Sequence, residues 1–293
     1  MTTHSITRLT GPLELGARFD GFLIDLWGVV HDGEQLFPGV VDALGALADR
    51  GAKLCFLSNS SRLGALLAEN LVALGIPRTL FTEVVSSGDV TRRALIERDP
   101  AVFRGLPEDV RVLHIGNPAY VPWLFELGFT FVDSFDLADL VVATGTVADE
   151  GSLLELRDRL APLAARGTPL VCTNPDRVVL SKTGLHLAPG AVAQVYETIG
   201  GPTFLYGKPH PPIYVEAMKR LGLPAARVVA IGDMLETDVL GARRASLHAV
   251  LVLDSGVHAM ELGLAPDNAR LQALFLRAGI RPDAVLARFA EPA

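Results

Sequence analysis

A chain of 293 residues can hold two ordinary domains or one domain with a large insertion, and 49% hydrophobic against 20% charged residues excludes a disordered or fibrous protein. A formal net charge of −7 argues against a nucleic-acid partner or an anionic membrane surface. The first twenty residues contain no long apolar segment, and no apolar run approaches the ~20 residues that span a bilayer, so a soluble cytoplasmic protein is expected.

In chain order, short apolar runs predict strands at 22–26, 53–57, 110–115, 139–143, 169–172, 227–231 and 248–253. Amphipathic stretches between them predict helices at 40–49, 63–74, 89–98, 152–165, 211–221 and 236–245. Such alternation specifies an α/β fold, a Rossmann-like parallel sheet with crossover helices. The middle of the chain has its own strand–helix alternation. The expected organisation is therefore a discontinuous core of residues 1–81 and 203–293, with an inserted α/β domain at 82–202 acting as a cap. The segment 266–293 reads as helical throughout, with "PDAVLARFA" forming its second helix. Cys55 and Cys172 sit inside apolar runs without zinc spacing, and read as buried structural thiols.

In parallel sheets, ligands gather at the carboxyl ends of the strands. After the first run comes Asp25; after the second, Ser58 and Asn59. Lys208 precedes the helix at 211, and "GDMLETD" with Asp233 and Asp238 follows the run at 227–231. Each acid or hydroxyl taken singly is an ordinary helix cap. Together, at four strand ends or helix starts, they describe a site.

These four stretches resemble the motifs of the haloacid dehalogenase superfamily, most of whose members are Mg²⁺-dependent phosphatases. "FLIDLWGVVHDGEQLFPG" resembles the first motif, "FLSNSSR" the second, "YGKPHPPIY" the third and "IGDMLETDVLGARRA" the fourth. The insertion, with "NPD" at Asn174–Asp176 and "APGAVAQVYETIGG", resembles the large α/β cap of class IIA members. The resemblance implies that Asp25 is the nucleophile, that Ser58 and Lys208 hold the phosphoryl oxygens, and that Asp233 binds Mg²⁺ with Asp238 as ligand or support. It further implies a small phosphorylated metabolite, sugar-phosphate-like or similar, as substrate, with Asn59, Asn174 and Asp176 as substrate contacts. Caps of this kind often pair, which makes a homodimer one expectation. The chemistry of the residues agrees. A carboxylate attacks phosphorus when cations screen the repulsion between two anions, and Mg²⁺ takes oxygen ligands from one or two carboxylates, water and phosphate.

The departure is Trp27. Phosphatases of this family usually carry a second Asp two residues after the nucleophile, which protonates the leaving oxygen. An indole cannot do this. Only the backbone carbonyl of Trp27 survives as the metal ligand from that position. Loss of a general acid–base group costs ~10²–10⁴ in rate. Three readings follow: a phosphatase in which water, His31 or Asp32 compensates or the leaving group needs little protonation; a dehalogenase, for which two carboxylates in "GDMLETD" would be surplus; or a scaffold that binds a phosphorylated ligand or partner as a regulatory module. His31 reads first as a loop histidine with a structural hydrogen bond, and Arg62 as a solvated helix arginine. "SSGDV" at 86–90 reads as a capped helix start, and "GNP" at 116–118 as a bare turn. Thr144-Gly145-Thr146 stands where class IIA relatives tend to place an acid, which implies different pocket chemistry.

Overall fold

In the computed structural model, which describes residues 6–145, 150–181 and 184–290, the apolar runs become strands. In chain order these are β1 (Arg8–Leu9), β2 (Gly21–Asp25), β3 (Lys53–Ser58), β4 (Glu83–Ser86), β5 (Arg111–Ile115), β6 (Thr130–Phe131), β7 (Leu140–Ala143), β8 (Leu170–Cys172), β9 (Val178–Ser181), β10 (Gly184–Leu187), β11 (Thr203–Leu205), β12 (Val228–Gly232), β13 (His248–Val252) and β14 (Ala284–Leu286). The chain divides into two compact units, each with its own sheet. Among the described residues no helix is long and apolar enough to cross a membrane.

The first unit comprises 1–58, 64–85 and 208–293. Its sheet runs β1-β14-β13-β12-β2-β3-β4. The ladders from β1 to β3 are parallel. All five residues of β2 are buried, as are those of β12, which is the pattern of strands covered on both faces. Phe22, Ile24, Leu54, Phe56, Val229 and Ile231 pack with Leu44 and Leu47 of the helix Val40–Ala48 into one core.

The second unit comprises 59–63 and 86–207. Its sheet runs β11-β8-β7-β5-β6, again parallel, beside the antiparallel hairpin β9–β10. The helices Glu150–Ala165 and Pro189–Thr198 lay Leu160, Leu163, Val192 and Tyr196 against Val141, Leu170 and Cys172. Cys55 and Cys172 are buried free thiols, and burial pushes each up to about 12, so neither offers a thiolate at neutral pH.

Three expectations need correcting. The boundaries of the insertion fall after Val85 and after Gly207, instead of 81 and 202, because β4 joins the first sheet and β11 the second. "PDAVLARFA" is not a helix. Its Ala284–Leu286 is strand β14, fully buried between β13 and β1, where a short apolar run satisfies its backbone through two neighbours. The helix expected at 236–245 begins as a wide π turn at Leu235–Val239 and tightens into an α-helix at Leu240–Arg244. At Ser86 the expected cap is present as a full capping box, Ser86 Oγ accepting from Asp89 N and Asp89 accepting from Ser86 N.

Candidate active site

Register places the site. In the β2–β3 ladder Asp25 faces Leu57, so Ser58 lies one step beyond Asp25. In the β2–β12 ladder Ile24 faces Ile231, so Asp233 follows two residues past that pair. Three adjacent parallel strands therefore bring Asp25, Ser58 and Asp233 to one edge of the sheet, the last directly after β12. Asp238 arrives on the π turn that follows β12, and Lys208 from just before the helix Pro211–Leu221.

One carboxylate oxygen each from Asp25, Asp233 and Asp238 lies within 4.8 Å of the others. Lys208 Nζ donates to Asp25 Oδ1 at 2.6 Å and to Asp238 Oδ1 at 2.7 Å. All four side chains are buried: Asp25 is 8% exposed, Lys208 3%, Asp233 4% and Asp238 6%. Burial raises the Asp25 carboxyl to about 7, with Lys208 pulling it down and Asp238 pushing it up. Asp233 is raised well above the carboxylate range by burial and then by Asp25 and Asp238. Its Oδ2 accepts from Val257 N at 3.0 Å, and Asp238 Oδ2 accepts from Met234 N at 3.2 Å. Three carboxylates and one ammonium, all ionised, leave two negative charges in a buried space. That donor set of hard oxygens fits one divalent cation of the Mg²⁺ kind.

Backbone approach is unusually close here. Gly28 has φ +79°, and a Cβ on it would meet Asp233 Oδ2 at 2.5 Å; one on Gly256 would overlap the same oxygen. Only glycine lets both loops close over that carboxylate.

The turn after β2 explains His31 and Asp32. Gly28 N donates to His31 O, His31 Nδ1 accepts from Gly33 N, both at 2.9 Å, and Asp32 Oδ1 accepts from Glu34 N and Gln35 N at 3.0 Å. His31 is thus a structural loop histidine, its pKa lowered by burial. Because the peptide between residues 27 and 28 is planar and its N–H is committed to His31, the Trp27 carbonyl points the opposite way. A Cβ at Gly33 would lie 3.6 Å from Trp27 Nε1, so the indole lies over the turn.

Asn59, Asn174 and Asp176 come together in the second unit. Asn59 Nδ2 donates to Asp176 Oδ1 at 2.8 Å, and Asn174 Oδ1 accepts from Asp176 N at 2.9 Å. The latter closes an Asx turn across "NPD". Arg62 is not on a helix; its guanidinium stacks 4.7 Å from the Tyr120 ring centroid. Thr144 Oγ1 lies 2.7 Å from His114 Nε2, while Thr146 lies outside the described residues.

Sequence reasoning missed the loop after β13. Ser255 Oγ donates to Gly28 O at 2.6 Å, Val257 N to Asp233, and Leu235 N donates to His258 Nε2 at 3.2 Å. The only signal was a Ser-Gly pair following a strand.

Residues 22–130 match the family model described as haloacid dehalogenase-like hydrolase, and residues 205–291 one described as HAD-hydrolase-like. The chain is 28% identical to the ribonucleotide monophosphatase NagD of Escherichia coli K12 over 244 residues, covering 82% of this chain and 89% of that protein. A haloacid dehalogenase-like hydrolase structure from Brucella suis 1330 superposes with a TM-score of 0.79 at 31% identity, over 96% of this chain and 100% of that one. A glycerol phosphate phosphatase from Mycobacterium tuberculosis in complex with magnesium gives a TM-score of 0.62 at 27% identity, over 87% and 74% of the two chains.

Proposed function

Because the chain belongs to the haloacid dehalogenase-like hydrolases, we propose that it is a Mg²⁺-dependent hydrolase of small phosphate esters acting through an aspartyl-phosphate on Asp25. Its standing as a phosphatase rests on relatives of that activity, and the inserted unit is the cap of the class IIA architecture. One observation carries the reading: three buried carboxylates cluster with one lysine after β2 and β12, a set that leaves two negative charges when all are ionised.

Asp25, Asp233, Asp238 and the Trp27 carbonyl would hold the ion, which when bound screens the nucleophile from its anionic substrate and polarises the phosphoryl oxygens. The rest is done by the chain. Lys208 fixes Asp25 through Oδ1 and supplies positive charge for the phosphoryl group, and Ser58 adds a hydroxyl donor at the next strand end. A carboxylate oxygen of Asp25 bonds to phosphorus as the ester P–O bond breaks and the leaving oxygen takes the electron pair. Water then attacks the phosphorus, the bond to Asp25 breaks, and phosphate departs. The Trp27 indole N–H is too weakly acidic to protonate the leaving oxygen, and His31 and Asp32 are engaged in their turn. The preferred substrates are therefore those whose leaving group needs little protonation, aryl and acyl phosphates ahead of alkyl ones. Asn59, Asn174 and Asp176 are assigned to substrate contact.

The test is phosphate release from p-nitrophenyl phosphate, acetyl phosphate and a set of sugar phosphates, with and without Mg²⁺. Release should need the metal, favour the first two esters, and fall by about 10³-fold or more in Asp25→Asn. Rapid turnover of sugar phosphates with no phosphoenzyme would remove the leaving-group argument. Halide release without metal would point to the dehalogenase reading, and ligand binding without turnover to a regulatory module.

A further inference from the structure

The loop Asp254–His258 follows β13, outside the four motif stretches, yet it reaches both loops that carry the acids. Ser255 Oγ donates to Gly28 O at 2.6 Å, on the turn next to the Trp27 carbonyl. Gly256 packs against Asp233 so closely that a Cβ there would overlap its carboxylate. Val257 N donates to Asp233 Oδ2 at 3.0 Å. His258, 8% exposed, accepts through Nε2 from Leu235 N at 3.2 Å. Leu235 opens the π turn that carries Asp238, and the first N–H groups of such a turn have no partner inside it. An accepting Nε2 means a neutral imidazole with its proton on Nδ1. The four residues thus bear on three parts of one cluster: the Gly28 turn, the Asp233 carboxylate and the π turn.

We propose that Ser255–His258 is a positioning clamp for the metal-binding carboxylates, with His258 as the positioning residue that sets Asp238 by holding the π turn at Leu235. The proposal rests on the Mg²⁺ site of the preceding reading. Groups behind metal ligands govern ligand orientation, and their loss costs about 10–100-fold in metal affinity. A leucine at 258 fills the space but cannot accept from Leu235 N. A glutamine keeps an acceptor at nearly the reach of Nε2.

The experiment is Mg²⁺ titration by calorimetry on the full chain, paired with amide exchange over residues 232–240 in metal-free protein. His258→Leu should weaken Mg²⁺ by about tenfold or more and speed exchange of the π turn, whereas His258→Gln should stay within about threefold of the parent. A folded His258→Leu with parental affinity and exchange overturns the clamp. A parent that binds no Mg²⁺ overturns the functional reading and the clamp together, whereas a parent that binds it and a His258→Leu that matches it overturns the clamp alone. If His258→Leu does not fold, Ser255→Ala decides: weakening by about threefold or more upholds the clamp, and unchanged affinity overturns it.

Discussion

At the carboxyl end of β2 and β12, three carboxylates crowd around one lysine. At the carboxyl end of β7 and β8, in the other unit, the buried groups are neutral: Ser61 Oγ donates to Thr144 O at 2.8 Å and lies 2.5 Å from Thr173 Oγ1, and Trp123 Nε1 donates to Ser61 O at 3.0 Å. Both are strand ends of parallel sheets, and both are buried. In the second, neutral donors meet acceptors. In the first, ionising all three acids leaves charge uncompensated, and burial accordingly raises two of them above the usual carboxylate range. A satisfied polar network specifies structure, whereas a buried charge imbalance costs stability and is kept where chemistry needs it.

The sharpest way to break that contrast is to remove Lys208, the cation paired with Asp25 and Asp238. Lys208→Ala should lower phosphate release by about 10²–10³-fold and, in metal-free protein, destabilise by about 3–5 kcal/mol in urea unfolding, because three acids lose their counter-charge. A milder loss in both would mean the cluster is less buried in solution. Next, Trp27→Asp should raise turnover of alkyl phosphates by about tenfold or more relative to aryl ones, since it restores an acid–base group. Abolished activity would instead assign the indole a positive role, such as stacking on substrate. A third measure is thermal. The folded-state pKa of Asp25 is raised from 3.8 to about 7, so the metal-free fold binds more protons than the unfolded chain and loses stability as pH rises through that window. Mg²⁺ should therefore raise the melting temperature by several degrees at pH 8 and by less at pH 5, where the carboxyl is protonated. Equal shifts at both pH values would argue against this cluster as the binding site. The smallest effect belongs to the other sheet. Thr173→Val should cost about 1–2 kcal/mol of stability while leaving the rate of phosphate release within about twofold.

The long apolar runs announced β2, β3, β5, β7, β8, β12 and β13, because a strand buried on both faces needs an unbroken apolar stretch. The strands not foreseen are short or lie toward a sheet edge: β1, β4, β6, β11, the hairpin β9–β10, and β14, which was read as helix. Two to four residues carry too little periodicity to outweigh their flanks. The site divides the same way. Asp25, Lys208, Asp233 and Asp238 stood at strand ends or helix starts, where side-chain chemistry is legible. The clamp's side chains, Ser255 and His258, meet backbone partners, the Gly28 carbonyl and the Leu235 amide, and its other contacts are the Val257 amide and a glycine that makes room; backbone partners leave almost no trace in residue type.

Strand β14 has one more consequence. It pairs with β1 through Arg8↔Val285 and Leu9↔Leu286, and with β13 on its other side. The second unit is nearly continuous, from residue 86 to 207, and its sheet can close as soon as that length has left the ribosome. The first unit cannot. Its amino-terminal strands wait through the synthesis of the whole insertion, and β1 acquires its neighbour only when residues 284–286 emerge. The order of translation thus makes the sheet that bears the acids the last to be finished, and a nascent chain halted before residue 284 would hold a complete second unit beside an open one.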